Sequence, residues 1–288
     1  MNIAGVLKSD LSIAKTVASY AGWVMRTWPR GSKGRVNVDD IDMFFRRYGE
    51  GKPVLLLHGG FMFAESWLGQ IPTLSADYLV IAPDVRGHGR TTLGTRPMTY
   101  RQLADDAIGL VKRLETGPVH VVGWSDGGCT ALGMAIKYPD LLRSITLIGT
   151  SWNVSNYSDE KMKELVALME PLNPVTLSLR MMRRLLTPEH YRGGEFFAAI
   201  RDMWLHTPDF TIEELRGINT PTLVVATDRD QFLSEPPDPM RTFREIADAV
   251  PGARMAEVPG GDHIVHIAHP DIVNRLILDF LNGVQATY

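Results

Sequence analysis

Apolar residues along this chain fall into two periods. Val54–Leu57, Tyr78–Ala82, Val119–Val122, Ser144–Gly149 and Pro221–Ala226 are nearly continuous apolar runs, as strands buried on both faces should be. A last short strand fits Ala253–Val258. Between these runs the spacing turns helical, over about 99–115, through Cys129–Ile136 and over Pro270–Leu281. Strands alternating with helices predict an α/β fold with a mostly parallel, doubly wound sheet. Ahead of it, Val36–Val38 and Ile41–Tyr48 alternate like an antiparallel hairpin, closed off by the turn Gly49-Glu50-Gly51.

Two stretches break the alternation. Residues 152–216 carry helical segments near 158–170, 175–186 and 194–206, punctuated by Pro171, Pro174, Pro188 and Pro208. They read as a helical cap inserted over the strand ends, so the core is expected from 35–151 and 217–288. Leu177, Leu179, Met181, Met182, Leu185, Met203 and Trp204 there are expected to be mostly packing, with some lining an apolar cleft. Residues 1–34 form an N-terminal extension, in which Leu11, Ala14, Val17, Ala21, Val24 and Trp28 recur at helical spacing. It reads as an amphipathic helix packed on its own domain or on a partner subunit. Lys8, Lys15, Arg26 and Arg30 allow a second reading, docking of residues 10–28 at a membrane surface.

Composition narrows the function classes. Thirty basic against 33 acidic residues leave a net charge of −3, with no basic surface for nucleic acid. No apolar run is long enough to span a bilayer, and Asp10 and Lys15 interrupt the first one too early for a signal peptide. The single cysteine, Cys129, excludes an internal disulfide framework and fits a reducing, cytoplasmic compartment. No metal-ligand spacing and no phosphate-cradling loop is present, so neither metal nor cofactor is expected.

The candidate chemistry centres on Gly123-Trp124-Ser125-Asp126-Gly127-Gly128, set between a strand and a helix. A G-x-S-x-G turn at such a junction strains the serine backbone and presents its hydroxyl at a helix N-terminus. A serine needs a base, and of eight histidines His263 is the best placed. It follows the last strand in Pro259-Gly260-Gly261-Asp262-His263, a turn able to carry an imidazole back over Ser125. His266 and His269 compete by proximity only, and His58 and His88 are expected to shape their loops. The acid that fixes the base's tautomer should follow the strand Leu223–Ala226, where Asp228 and Asp230 both stand. Cys129 is expected to be a small core residue.

His58-Gly59-Gly60, Asp84-x-Arg86-Gly87-His88-Gly89, the Ser125 turn and Gly261-Asp262-His263 occur in the order found in the α/β-hydrolase superfamily, which this chain resembles from 36 to 282. The resemblance implies a cofactor-free serine hydrolase with Ser125 as nucleophile and His263 as base. The family's Gly-x-x-Asp pattern selects Asp230 as acid, although Thr227 stands where the glycine is usual. It also implies an oxyanion hole from the N–H groups of Asp126 and Gly60, with Phe61 the alternative neighbour. The Ser125 turn, Lys137-Tyr138-Pro139 and His263-Ile264-Val265-His266 look like the valacyclovir-hydrolase (biphenyl-hydrolase-like) branch. There the aspartate after the serine is implied to hold a substrate α-amino group. The competing reading has Asp126 bonded within the turn. Phe61, Trp124 and Trp152 are further candidates for substrate contact.

The expected reaction is cleavage of a small carboxylic ester, with an α-amino-acid ester a natural variant. Lactone, amide or carbon–carbon substrates and perhydrolysis remain alternatives on the same groups. A ligand receptor with negligible turnover is the alternative outside enzymes, and self-association is left open.

Overall fold

A computed structural model describes residues 31–167, 170 and 174–285. The helical pattern over 1–30, and with it the membrane-docking reading of 10–28, lies outside the described residues. The strands are β1 (Ser32–Val38), β2 (Ile41–Tyr48), β3 (Lys52–Leu57), β4 (Tyr78–Pro83), β5 (Val119–Trp124), β6 (Leu142–Ile148), β7 (Thr222–Thr227) and β8 (Arg254–Val258). They form one eight-stranded sheet in the order β1-β2-β4-β3-β5-β6-β7-β8. β1 and β2 pair antiparallel, as do β2 and β4, and the remaining pairs are parallel. Val54 to Leu57 are fully buried, as their unbroken apolar run requires.

The α-helices are α1 (Ile71–Leu74), α2 (Tyr100–Arg113), α3 (Asp126–Lys137), α4 (Asp159–Ala167), α5 (Pro174–Leu186), α6 (Gly193–His206), α7 (Ile212–Arg216), α8 (Arg241–Ala249), α9 (Val265–Ala268) and α10 (Pro270–Gln285). Helices α2, α3 and α8 share one apolar core with one face of the sheet, and α1 and α10 share the other. Each core helix presents a stripe to the strands; α2, for example, buries Leu103, Ala107, Leu110 and Val111.

Helix α8 goes beyond the sequence expectation. Only Phe243 and Ile246 are large apolar residues on its buried side, flanked by Thr242 and Ala249, so its pattern is sparse. Burying those two side chains contributes about 1.5–3 kcal/mol each, enough to dock a short helix with little intrinsic signal. Strand β1 likewise starts at Ser32, ahead of Val36, because an edge strand with polar outward positions carries no apolar run.

The helices α4 to α6 arise between β6 and β7, where the helical insertion was expected. The chain leaves and re-enters through a narrow neck. Asn153 and Asp209 form an antiparallel bridge, the Val154 N–H donates to Pro208 O at 2.7 Å, and Asn153 Nδ2 donates to Phe210 O at 3.0 Å. Phe196, Phe197, Ile200 and Met203 of α6 pack into the same core as α2 and α3.

Candidate active site

Ser125 stands between β5 and α3 with φ 54° and ψ −120°, a conformation that costs a non-glycine residue of order 1–3 kcal/mol. The Ser125 N–H donates to Ile148 O at 2.9 Å, which ties the turn to β6. Two glycines permit the crossing. A Cβ on Gly123 would meet Gly127 O at 2.3 Å, and one on Gly127 would meet Leu57 O at 1.9 Å. Strand and helix therefore approach as the sequence pattern requires, and the serine hydroxyl is lifted clear of the backbone.

The loops after β7 and β8 bring two further groups to it. His263 Nε2 lies 3.0 Å from Ser125 Oγ, and His263 Nδ1 lies 2.8 Å from Asp230 Oδ2. Asp230 is 1% exposed, and its Oδ1 accepts the N–H groups of Phe232 (2.9 Å) and Leu233 (3.1 Å). Burial works against its ionisation. The adjacent His263 and the two N–H donors outweigh it, so the carboxyl sits below the ordinary aspartate range. An ionised Asp230 accepts from Nδ1–H, which leaves Nε2 free to accept from the serine hydroxyl. The His263 loop is held on three sides: Trp124 Nε1 donates to His263 O at 2.7 Å, the His263 N–H to Gln231 Oε1 at 3.2 Å, and the Arg229 N–H to Gly261 O at 3.1 Å.

The rival residues lie elsewhere. Asp228 Oδ1 accepts the Gly260 N–H at 2.6 Å on the exposed side of the loop. His266 is fully buried against Trp124 and Trp67, with burial and the neighbouring His263 lowering its pKa to about 3. His58 Nε2 accepts the Val85 N–H at 3.1 Å, so its Nδ1 carries the proton and donates to Gly59 O at 2.8 Å; it shapes its loop, as expected. Asp84 and Arg86 also act as loop scaffolding. Asp84 accepts the Ala64 N–H and pairs with Arg90, and buried Arg86 forks onto Asp106 at 2.7 and 2.8 Å. Cys129 is buried and its Sγ reaches Ser151 O at 3.2 Å.

These groups open onto a cavity of about 220 Å³. Gly60, Phe61, Trp124, Ser125, Asp126 and His263 all line it. Trp152 does not: its indole points to Glu245 Oε2 at 2.9 Å. The Asp126 N–H heads α3, where no intrahelical acceptor is available to it. Asp126 is 7% exposed, and its carboxylate accepts from Tyr100 Oη (2.8 Å to Oδ1) and Trp204 Nε1 (3.2 Å to Oδ1, 3.0 Å to Oδ2). Burial raises its pKa, against the lowering effect of Trp204, Tyr100 and His263.

Tyr100, Tyr157, Leu165, Leu179, Trp204 and Thr207 complete much of the wall. None of them belongs to a motif; Trp204 was expected mainly as packing, and its spacing on α6 gave no sign of the bond to Asp126. Among the described residues no cluster of three or more His, Cys, Asp or Glu side chains could hold a metal ion, and no helix is long and apolar enough to cross a membrane.

Comparison with known proteins identifies the family. Serine hydrolase BPHL of Homo sapiens is 29% identical over 265 residues, covering 87% of this chain and 86% of that protein. The 2-hydroxy-6-oxo-6-(2'-aminophenyl)hexa-2,4-dienoic acid hydrolase of Metapseudomonas resinovorans is 26% identical over 267 residues, covering 86% and 90%. Among solved structures, a thermophilic esterase from Thermogutta terrifontis (malate bound) superposes with a TM-score of 0.68 at 26% identity, covering 88% of this chain and 99% of that one. Residues 54–276 match the alpha/beta hydrolase family, and the chain is a member of that family and a hydrolase of its superfamily.

Proposed function

We propose that the protein is a serine esterase acting through an acyl-enzyme. The observation that carries this reading is the hydrogen-bonded chain from Ser125 Oγ through His263 to Asp230, set at a strained turn that opens on a mostly apolar cavity. Ser125 Oγ attacks the ester carbonyl carbon while His263 Nε2 takes its proton, and Asp230 holds the imidazolium in register. The carbonyl oxygen becomes an oxyanion, met by the N–H groups of Gly60 and Asp126 and by the N-terminus of α3. His263 then gives the proton to the departing alkoxide. Water, deprotonated by His263, attacks the acyl-enzyme carbonyl, and His263 returns that proton to Ser125 Oγ as the acyl–oxygen bond breaks and the acid leaves.

The substrate side of the reading rests on Asp126. A carboxylate on the cavity wall disfavours anionic acyl groups, dienoates among them, and favours a cationic one such as the ammonium of an α-amino-acid ester. Two donors fill about half of its acceptor capacity, which leaves room for an ammonium.

Ser125→Ala tests the mechanism directly. Turnover of p-nitrophenyl acetate and labelling by a fluorophosphonate should both disappear, with thermal stability retained. A folded variant that keeps wild-type turnover overturns the assignment. Ligand-induced stabilisation without turnover in the wild-type protein would point to a receptor instead.

A further inference from the structure

The end of the sheet away from Ser125 holds a second cavity, of about 350 Å³. It lies where β3, β6 and β7 begin, and no residue lines both cavities. Strand β5 runs from one to the other, and His120 in the second stands about 13 Å from Trp124 in the first at 3.3 Å per residue. Leu142, Pro221 and Val284 give the second cavity apolar wall, while Lys52, Asp140 and Arg143 stand at its more exposed edge.

Two buried polar atoms belong to residues of this wall and have no protein partner. His120 is 1% exposed and Thr220 is 4%, and neither His120 Nε2 nor Thr220 Oγ1 is hydrogen-bonded among the described residues. The other imidazole nitrogen, Nδ1, lies 2.7 Å from Ser144 Oγ. A proton on Nδ1 would leave both the serine hydrogen and the Nε2 lone pair unmatched. With the serine donating to Nδ1 instead, one group is left over, the Nε2–H. Burial, with Arg143 and Lys52 adding to it, holds His120 down to about 4, so the ring is neutral at pH 7. An unpaired buried donor is costly, which makes two beside one cavity a sign of a missing acceptor.

The charged groups point to the same acceptor. Arg143 Nε donates to Pro118 O at 3.0 Å, and neither the rest of that guanidinium nor Lys52 pairs with a carboxylate among the described residues. Asp140 lines the cavity too, but the two cations outnumber it. We propose that this cavity is a binding site for a small organic monocarboxylate. Its oxygens accept from His120 Nε2–H and the Thr220 hydroxyl in the field of Lys52 and Arg143, and its hydrocarbon part covers Leu142, Pro221 and Val284. Inorganic phosphate matches the charge but leaves that apolar wall in water.

The test titrates the full-length protein with benzoate and follows the ¹⁵N resonances of the His120 imidazole. These report on the second cavity whatever happens at Ser125, so the outcome is independent of the esterase reading. Benzoate should move the Nε2 signal saturably, and benzamide and inorganic phosphate should bind at least about tenfold more weakly. Arg143→Gln and Lys52→Gln should each weaken benzoate about 5- to 20-fold. Thr220→Val keeps the side chain's shape and should also weaken benzoate, without lowering Tm. It decides the matter should a charge variant fail to fold. A His120 signal unmoved up to about 20 mM benzoate would overturn the proposal. So would equal binding of benzamide or phosphate, or variants that bind benzoate as the wild type does.

Discussion

Replacing Asp230 with asparagine should cost far more than the loss of one charge. Asp230 Oδ1 is claimed by the N–H groups of Phe232 and Leu233, at 2.9 and 3.1 Å, so the amide oxygen of the variant must take that position. Its NH2 group is then turned toward His263 Nδ1, where Asp230 Oδ2 lies at 2.8 Å. Two donors cannot face each other, and the imidazole responds by moving its proton to Nε2. That nitrogen, 3.0 Å from Ser125 Oγ, can no longer accept the serine proton. The expected loss in kcat is about 10³- to 10⁴-fold with KM little changed, equivalent to about 4–5.5 kcal/mol of transition-state stabilisation. Asp228→Asn, which alters only an exposed bond to the Gly260 N–H, should stay within about threefold of wild type. Steady-state kinetics on p-nitrophenyl acetate measures both variants, thermal unfolding shows that they are folded, and ¹⁵N NMR reads the His263 tautomer. A loss below about tenfold in a folded Asp230→Asn protein, or an equal loss in Asp228→Asn, would refute the reasoning.

Two further outcomes follow from groups away from Ser125. Burial, aided by neighbouring positive groups, holds His266 down to about 3 and His120 to about 4, while an unfolded imidazole titrates near 6.5. Between pH 6.5 and 4 the unfolded chain therefore binds protons that the folded one refuses, and stability should fall with pH by up to about 1.4 kcal/mol per unit for each of the two histidines. Urea midpoints at pH 7 and pH 5 check this, and a flat profile would contradict it. Trp152→Phe removes the 2.9 Å bond to Glu245 at a residue that does not line the Ser125 cavity, so stability should drop by about 1 kcal/mol with kcat/KM unchanged for p-nitrophenyl acetate and an α-amino-acid benzyl ester alike. A shift in the preference between the two esters would instead return Trp152 to the substrate's surroundings.

The sheet was legible because its central strands are buried on both faces and so must be apolar throughout, as in Val54–Leu57. Ser125 and His263 were legible for a different reason: a strained turn needs glycine at 123 and 127, and a returning loop needs Gly260 and Gly261. Asp230 and Asp228 differ in the structure by what they bond, which spacing along one strand end does not encode. Tyr100 and Trp204 were illegible as partners of Asp126. One starts a helix and the other sits on the far side of α6 in sequence, and their meeting is made by tertiary packing alone. Trp152 shows the converse, since its place after β6 says nothing about which way its ring turns. Helix α8 escaped notice because Phe243 and Ile246 supply too few apolar positions to set a period.

The neck at Asn153 and Asp209 makes the intervening chain an exchangeable module. Its two ends are held about 5 Å apart by a bridge, so lengthening or replacing what lies between adds little closure cost. Leu165, Leu179, Trp204 and Thr207, which wall one side of the cavity, all lie inside that module, whereas Ser125, Asp230 and His263 lie outside it. A recombination event at this one point could swap the shape of the pocket in a single step. Ser125, His263 and Asp230 would keep their registration through the pairing of β5, β6, β7 and β8. The shape of the cavity can therefore drift quickly on this scaffold while the Ser125–His263–Asp230 arrangement stays fixed.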